Sequence, residues 1–288
     1  SSKIVNEVRK ISLEKGWSAY DSRKNLGYLR NLVIRTGHYS EQIMINLVTS
    51  RSVPKRIKFL TTRLLSMFPE ITTLLNTVND TRSPVAASGE EIVYHGLGKI
   101  TDNIGNLVFD IAPDTFFQPN TVQAERLCEL VRDYAGLEGD ETLYDLYSGV
   151  GMLSLFLSGS VKKVVGIENV ENAVQKAVKN AFLNGIKNCT FFNQDVEGCM
   201  KSDFPQKFGM PQIVITDPPR AGMNKEVCRA LLRLKPRRIV YVSCNPTTQV
   251  TDLKILCDKY EVEKVQPIDM FPQTYHIENV VSLRKIDR

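Results

Sequence analysis

Cys244 stands in "YVSCNPTTQ", between the run Arg238-Ile239-Val240-Tyr241-Val242 and Pro246. The run reads as a short buried strand, and a proline cannot continue its hydrogen-bond ladder. Cys244 therefore falls at the carboxyl end of a strand, the edge at which open α/β sheets hold their ligands. A thiol there can serve as a nucleophile, although most free cysteines are small buried hydrophobes. Acids recur at the same kind of position. Asp145 and Glu168 end two earlier strands, Asp195 follows a third in "NQDV", and Asp217 follows a fourth in "TDPPRAGM". Turn formation would explain Pro-Pro-Arg-Ala-Gly, but not an acid at the same end of the sheet as Asp145, Glu168 and Cys244.

"DLYSGVGMLSL" places Gly149 and Gly151 in a tight strand-to-helix turn, where backbone can approach a ligand closely. Glu168 lies about 20 residues on, where an acid can hold ribose hydroxyls. A dinucleotide fingerprint wants a third glycine at 154, and that residue is Ser154. S-adenosylmethionine (SAM), which has no pyrophosphate, is the better fit; glycines serving packing alone are the alternative. Asp195 suits either an adenine-facing role or a helix N-cap.

Two segments differ in pattern. Residues 1–112 show a helix over 3–15 and strands "LRNLVIRTG" and "EQIMINLVTS" joined as a hairpin through Gly37-His38-Tyr39-Ser40. The helix "VPKRIKFLTTRLLSMF" and further strands follow. Helices interleaved with antiparallel strands predict a compact α+β accessory domain, with a small-residue linker at 81–91. Residues 113–288 alternate strands and helices. "CTFFNQD" and "QIVITDPP" are read there as successive strands, and "YEVEKVQPIDMF" and "HIENVVSLRKI" as the closing pair. The expectation is a doubly wound, Rossmann-like parallel sheet with an antiparallel edge.

Composition bounds the function. With 288 residues, 42% hydrophobic and 24% charged, the chain is an ordinary globular sequence. No apolar run approaches the ~20 residues that span a bilayer, and none resembles a signal peptide. Six scattered cysteines without a CxxC pair argue against a zinc or iron–sulfur centre and for a reducing, cytoplasmic compartment. Three unclustered histidines give no metal site. The net charge of +5 is modest, but the cations are grouped: Arg23, Lys24, Arg30 and Arg35; Lys55, Arg56, Lys58 and Arg63; Arg229, Arg233, Lys235, Arg237 and Arg238. Such groups are solvated helix faces or a nucleic-acid surface.

In order, "DTFFQPN", "DLYSGVG", "DPPRAG", "YVSCNP" and "HIENV" resemble the RNA uracil-C5 methyltransferase family, which makes 5-methyluridine. The resemblance covers 113–288, and more loosely the preceding segment, and is nearer the 23S ribosomal RNA branch than the transfer RNA branch. It implies a class I SAM-dependent methyltransferase domain, SAM as cofactor and RNA as partner; no membrane or protein partner is inferred. It implies Cys244 as nucleophile and Glu278 as base. Gln118, Tyr147, Gly149, Met152, Glu168, Asp195 and Asp217 would bind SAM. Met152 departs from the Asn often found there, which leaves the contact to backbone. The family's oligonucleotide-binding barrel and four-cysteine cluster are not in these residues.

The implied chemistry needs these residue types. Carbon 5 of uracil is a poor nucleophile until a thiolate adds to carbon 6, and a base must then remove the carbon 5 proton. An ordinary thiol near pKa ~8.5 is mostly protonated at neutral pH, so Arg220 is expected to lower that of Cys244. Phe116 or Phe117 would receive a base swung out of its stack, and His276 orients or packs. The rival readings are methylation of another RNA base, a catalytically silent RNA-binding module, and a nicotinamide-dependent dehydrogenase.

Overall fold

A computed structural model of the chain describes residues 1–81 and 89–286. Residues 82–88 of the expected linker lie outside the described residues. The chain divides into two compact units, Ser1–Asn103 with Phe109–Thr115, and Ile104–Val108 with Phe116–Arg288.

The first unit begins with α1 (Ser2–Glu14), whose Ile4, Val8 and Ile11 fall on one helical face and are buried. Strands β1 (Leu29–Thr36) and β2 (Ile43–Thr49) form the expected antiparallel hairpin. Its turn is held by Asp102, whose carboxylate accepts the His38 and Tyr39 N–H groups, each at 2.8 Å. Helix α2 (Pro54–Met67), with proline in its first turn, leads to β3 (Ile71–Val78), and β4 (Glu90–His95) follows. The sheet order is β1-β2-β3-β4. β2 and β3 pair in parallel, against the expectation of antiparallel strands. The reason is α2 itself, since a 14-residue helix between two strands is the length of a crossover connection. Ile57, Leu60 and Leu64 of α2 pack with Ile45, Leu47, Leu74 and Trp17 in one core. Strands β5 (Ile100–Ile104) and β6 (Leu107–Ile111) form a separate hairpin.

The second unit starts at α3 (Thr121–Ala135), capped by the Asn120 side chain and ended by Gly136 in the left-handed region. There follow β7 (Thr142–Leu146), α4 (Met152–Leu157), β8 (Lys163–Glu168), α5 (Glu171–Leu183) and β9 (Cys189–Asn193). Two short helices, α6 (Val196–Lys201) and α7 (Phe204–Phe208), lie where two strands were read in direct succession. Each is too short to display a helical period, and α7 is held by Phe204 and Phe208 against Phe192. β10 (Ile213–Thr216), α8 (Lys225–Leu234), β11 (Arg238–Ser243), α9 (Pro246–Leu256), β12 (Tyr260–Ile268) and β13 (Glu278–Lys285) complete the unit.

The seven strands run β12-β13-β11-β10-β7-β8-β9. β7 to β11 are mutually parallel. β13 is antiparallel to both β11 and β12, so β12 at the rim points the same way as the parallel set. The antiparallel strand thus lies one place in from the edge. Chain order reverses at β7, flanked by β8 and β10, and a doubly wound sheet opens its ligand crevice at such a point.

Candidate active site

β7 ends at Leu146, and Tyr147 then adopts φ 64°. That left-handed backbone is unusual for an aromatic residue and persists only when its surroundings fix it. Here the Tyr147 and Ser148 N–H groups both donate to Ile167 O, at 2.9 and 3.1 Å. The two glycines differ in purpose. A Cβ on Gly151 would lie 3.0 Å from the Phe191 ring, whereas one on Gly149 would meet nothing within 4 Å. Both serve the turn, at φ 53° and 84°, but Gly151 is also needed for packing, while Gly149 leaves backbone open to approach. Its N–H donates to Glu168 Oε2 at 3.0 Å, while Val170 N–H donates to Oε1 at 2.9 Å. Glu168 thereby ties the end of β8 to the glycine turn, and Met152, partly buried, opens α4.

Ser154 has a function of its own. Its hydroxyl donates to Asp145 Oδ2 at 2.6 Å, with both side chains buried. Burial pushes the Asp145 carboxyl up to about 7, against the pull of the Ser154 bonds and with a further upward push from Glu168. Asp145 Oδ1, Gln118 Oε1 and Ser148 Oγ are buried without a hydrogen-bond partner among the described residues. Orphaned buried polar atoms are uncommon and call for a ligand or another cause. Asp195 Oδ2 accepts the Gly198 N–H at 2.8 Å, so this residue caps α6. Its charge nonetheless reaches Tyr147, whose phenol is raised first by burial and then by Asp195.

Asp217 follows β10 directly, and its N–H donates to Leu146 O at 3.3 Å. Burial holds its carboxyl well above the usual range, and the charges of Glu278 and Asp145 push the same way. Cys244 and Glu278 meet across the sheet. The last rung of the β11–β13 ladder pairs Ser243 with Asn279, and Cys244 and Glu278 are the adjoining residues. Glu278 is only 4% exposed, and burial raises its carboxyl against the pull of Arg220. The Cys244 thiol is raised by burial, then by Glu278 and Asp217. Arg220 does lower it, as expected, but is outweighed. The guanidinium shares a 3.0 Å hydrogen bond with His276 Nδ1. Phe116 is 72% exposed and Phe117 partly buried.

Helix α9 organises this end of the sheet through residues absent from the sequence-based list. Asn245 caps it, and Asn245 Nδ2 and Thr248 Oγ1 both donate to Arg220 O, at 3.0 and 3.2 Å. Asp252 Oδ2 accepts the Met223 N–H at 2.8 Å and the Tyr241 hydroxyl at 2.6 Å. Gly222 is required beside it, since its φ is 82° and a Cβ there would come within 2.8 Å of Asp252. The sequence signal is an inverted helix: Gln249 and Asp252 are buried while Val250 is exposed.

The grouped cations are largely engaged within the fold. Arg35 donates to Thr115 O and Pro113 O, and Arg56 stacks over Tyr28. Arg229 pairs with Glu226, Arg237 with Glu141 and Arg238 with Glu263. An open groove lined by Asp133, Arg238, Glu263 and Arg284 lies at the opposite end of the β11–β13 ladder from Cys244 and is occupied by these ion pairs. Among the described residues no helix is long and apolar enough to cross a membrane.

The tRNA (Uracil-5-)-methyltransferase family model matches residues 40–286. An uncharacterized RNA methyltransferase of Bacteroides thetaiotaomicron is 40% identical over 285 residues, covering 98% of this chain and 63% of its own length. Another, from Chlorobaculum tepidum, is 40% identical over 288 residues, covering 99% of this chain and 60% of its own length. The chain thus spans about three fifths of the curated relatives it matches. Among solved structures, a Pyrococcus abyssi tRNA (uracil-54, C5)-methyltransferase in complex with S-adenosyl-L-homocysteine superimposes with a TM-score of 0.81 at 30% identity. That match covers 97% of this chain and 66% of the other. A SAM-dependent methyltransferase from Streptococcus mutans shares the fold, with a TM-score of 0.57 at 10% identity over 84% of this chain and 69% of its own.

Proposed function

Since the chain belongs to the tRNA (uracil-5-)-methyltransferase family, we propose that it methylates carbon 5 of a uridine in RNA, with Cys244 as nucleophile and Glu278 as base. The carrying observation is the adjacency of that thiol and that carboxyl at the end of the β11–β13 ladder.

The residues present fit SAM. Its ammonium and sulfonium are cationic, and the strand ends around the glycine turn offer acceptors in the partnerless Asp145 oxygen and the carboxyls of Glu168 and Asp217, with the buried Gln118 oxygen as a further one. Tyr147 and the open face of Gly149 complete that wall, with Met152 contributing backbone and Asp195 its second oxygen. Bound SAM would supply an electrophilic methyl group.

Cys244 loses its proton to solvent and attacks carbon 6 of uracil. The sulfur–carbon 6 bond forms, and the carbon 5–carbon 6 π pair moves toward carbon 5 and the carbon 4 oxygen. Carbon 5 would then take the methyl group that bound SAM supplies, the electron pair of the broken methyl–sulfur bond remaining on that sulfur. Glu278 removes the carbon 5 proton; that bonding pair restores the double bond and expels the thiolate. Burial, which raises the Glu278 carboxyl, makes it the better base. Arg220 moderates the crowding of negative charge as the thiolate appears and departs.

The motif style favours 23S ribosomal RNA, while the Pyrococcus relative acts on a tRNA uracil. Both RNAs, substituted with 5-fluorouridine, are therefore offered with SAM. Fluorine blocks the last deprotonation, so a denaturation-stable adduct mapping to Cys244 is expected. Bound SAM and bound RNA with no adduct, or methyl groups found on another base or an exocyclic amine, would overturn the reading.

A further inference from the structure

Gln249 lies in the first turns of α9, 1% exposed, and its carboxamide spans the end of the ladder that carries Cys244 and Glu278. Its Nε2 donates to Tyr241 O on β11 at 2.9 Å and to Asn279 O on β13 at 3.3 Å. Its Oε1 accepts from Asn279 Nδ2 at 2.7 Å. One buried side chain thus bonds both strands and both ends of the Asn279 residue, at the last rung before the two strands part. Asn279 is covalently next to Glu278, and α9 itself grows from the Cys244 turn through the Asn245 cap.

A structural helix face would bury apolar groups here, as Leu256 does farther along. A carboxamide with every hydrogen-bonding position directed at the ladder's end costs desolvation and returns fixed geometry instead. Glu278 opens β13 and pairs with Ile268 of β12, but residues 276–277 before it lie outside the strand and the β11 ladder ends at Asn279, so its place on the β11 side calls for a further restraint. The Gln249–Asn279 clamp supplies that restraint.

We propose that Gln249, acting through Asn279, is a positioning residue for proton removal: it holds Glu278 at the distance from the Cys244 adduct at which carbon 5 can be deprotonated. The proposal rests on the methylation reading above. It predicts a selective defect, because addition of the thiolate needs only Cys244, while release needs Glu278 placed correctly. It also predicts a change in the thiol. Glu278 holds the Cys244 pKa up, so a carboxyl released from its place lets the thiol ionise at lower pH.

The test follows single turnover on uridine-containing RNA with SAM, reading the formation and the disappearance of the covalent RNA–protein species separately on denaturing gels. Gln249→Leu removes the whole clamp. Gln249→Glu keeps the shape but sets an acceptor against two carbonyls, and Asn279→Ala, at a half-buried site, is the milder change should the first not fold. SAM affinity and the thermal midpoint are measured in parallel. The expected result is adduct formation that reaches the wild-type plateau rate along a profile moved to lower pH, with disappearance slowed about 10²-fold in the Gln249 variants and less in Asn279→Ala. Equal slowing of formation and breakdown, or an unmoved pH profile, would overturn the proposal and leave Gln249 a fold element. A wild-type protein that binds SAM and RNA but forms no covalent species would overturn the underlying reading instead.

Discussion

Cys244 and Glu278 are successive neighbours of one hydrogen-bonded rung, Ser243 with Asn279, on strands that run in opposite directions. A parallel neighbour brings only the residue that follows its last rung to this edge, as β10 brings Asp217. Antiparallel β13 arrives at the carboxyl edge of β11 and starts there, so its first residue faces the residue that follows β11. The electrostatics agree, since each group senses the other's surroundings: Glu278 raises the thiol, and Arg220 lowers both.

Replacing either group should separate two steps. Cys244→Ala is expected to abolish turnover and leave SAM affinity nearly unchanged, as measured by calorimetric titration. A loss of affinity comparable to that of Asp217→Ala would count against a nucleophile and for a cofactor-binding thiol. Glu278→Gln should still form the RNA adduct and then fail to release it.

The rate of adduct formation should climb with pH beyond the ordinary thiol range, because burial, Glu278 and Asp217 together hold Cys244 protonated. Arg220→Met removes the one opposing charge and should displace the rise to still higher pH. Stopped-time gels across a pH series give both curves; a variant curve superimposed on the wild type would refute the role given to Arg220.

Asp145 should make the protein less stable as pH rises. Its folded pKa, about 7, lies above the ordinary aspartate value of ~3.9. Its contribution is therefore complete below the unfolded pKa and is lost as pH climbs toward the folded one. Asp145→Asn stays neutral throughout, so the difference in thermal midpoint between wild type and variant should shift in the variant's favour between about pH 4 and pH 7. Parallel curves, recorded without SAM, would contradict the assignment.

Ser154→Ala should destabilise the fold by about 1–3 kcal/mol, the usual cost of stripping a buried polar group of its partner. Urea titration measures it. A neutral substitution would mean that Asp145 is satisfied by its protonation alone.

Much of the sheet was legible because its strands are β-branched runs bounded by Gly, Pro and Asp. That pattern alone sets Asp145, Glu168, Asp217 and Cys244 at one edge. Ser154 was legible only as a missing glycine; its bond to Asp145 joins a strand to a helix and has no local signature. Helices α6 and α7 escaped because five or six residues cannot show a period. The parallel pairing of β2 with β3 escaped because local pattern gives a strand no direction. In α9 the sequence carried a signal of the opposite kind: Asn245, Thr248, Gln249 and Asp252 share one helical face, and that face turns inward. Polar residues read as surface until a partner for each is known.

The place of β13 also bears on synthesis. Among the described residues β12 pairs with no strand except β13, and β11 has no neighbour on that side until β13 inserts. A ribosome that has finished Cys244, and even β12, has made a sheet with an open edge along β11 and a loose strand beside it. Such edges invite pairing with other chains. The segment Glu278–Lys285 closes the edge, docks β12 and brings the carboxyl to the thiol in one event. Chains cut short of it should aggregate, so quality control that removes aggregating chains also removes those in which Cys244 lacks its facing carboxyl.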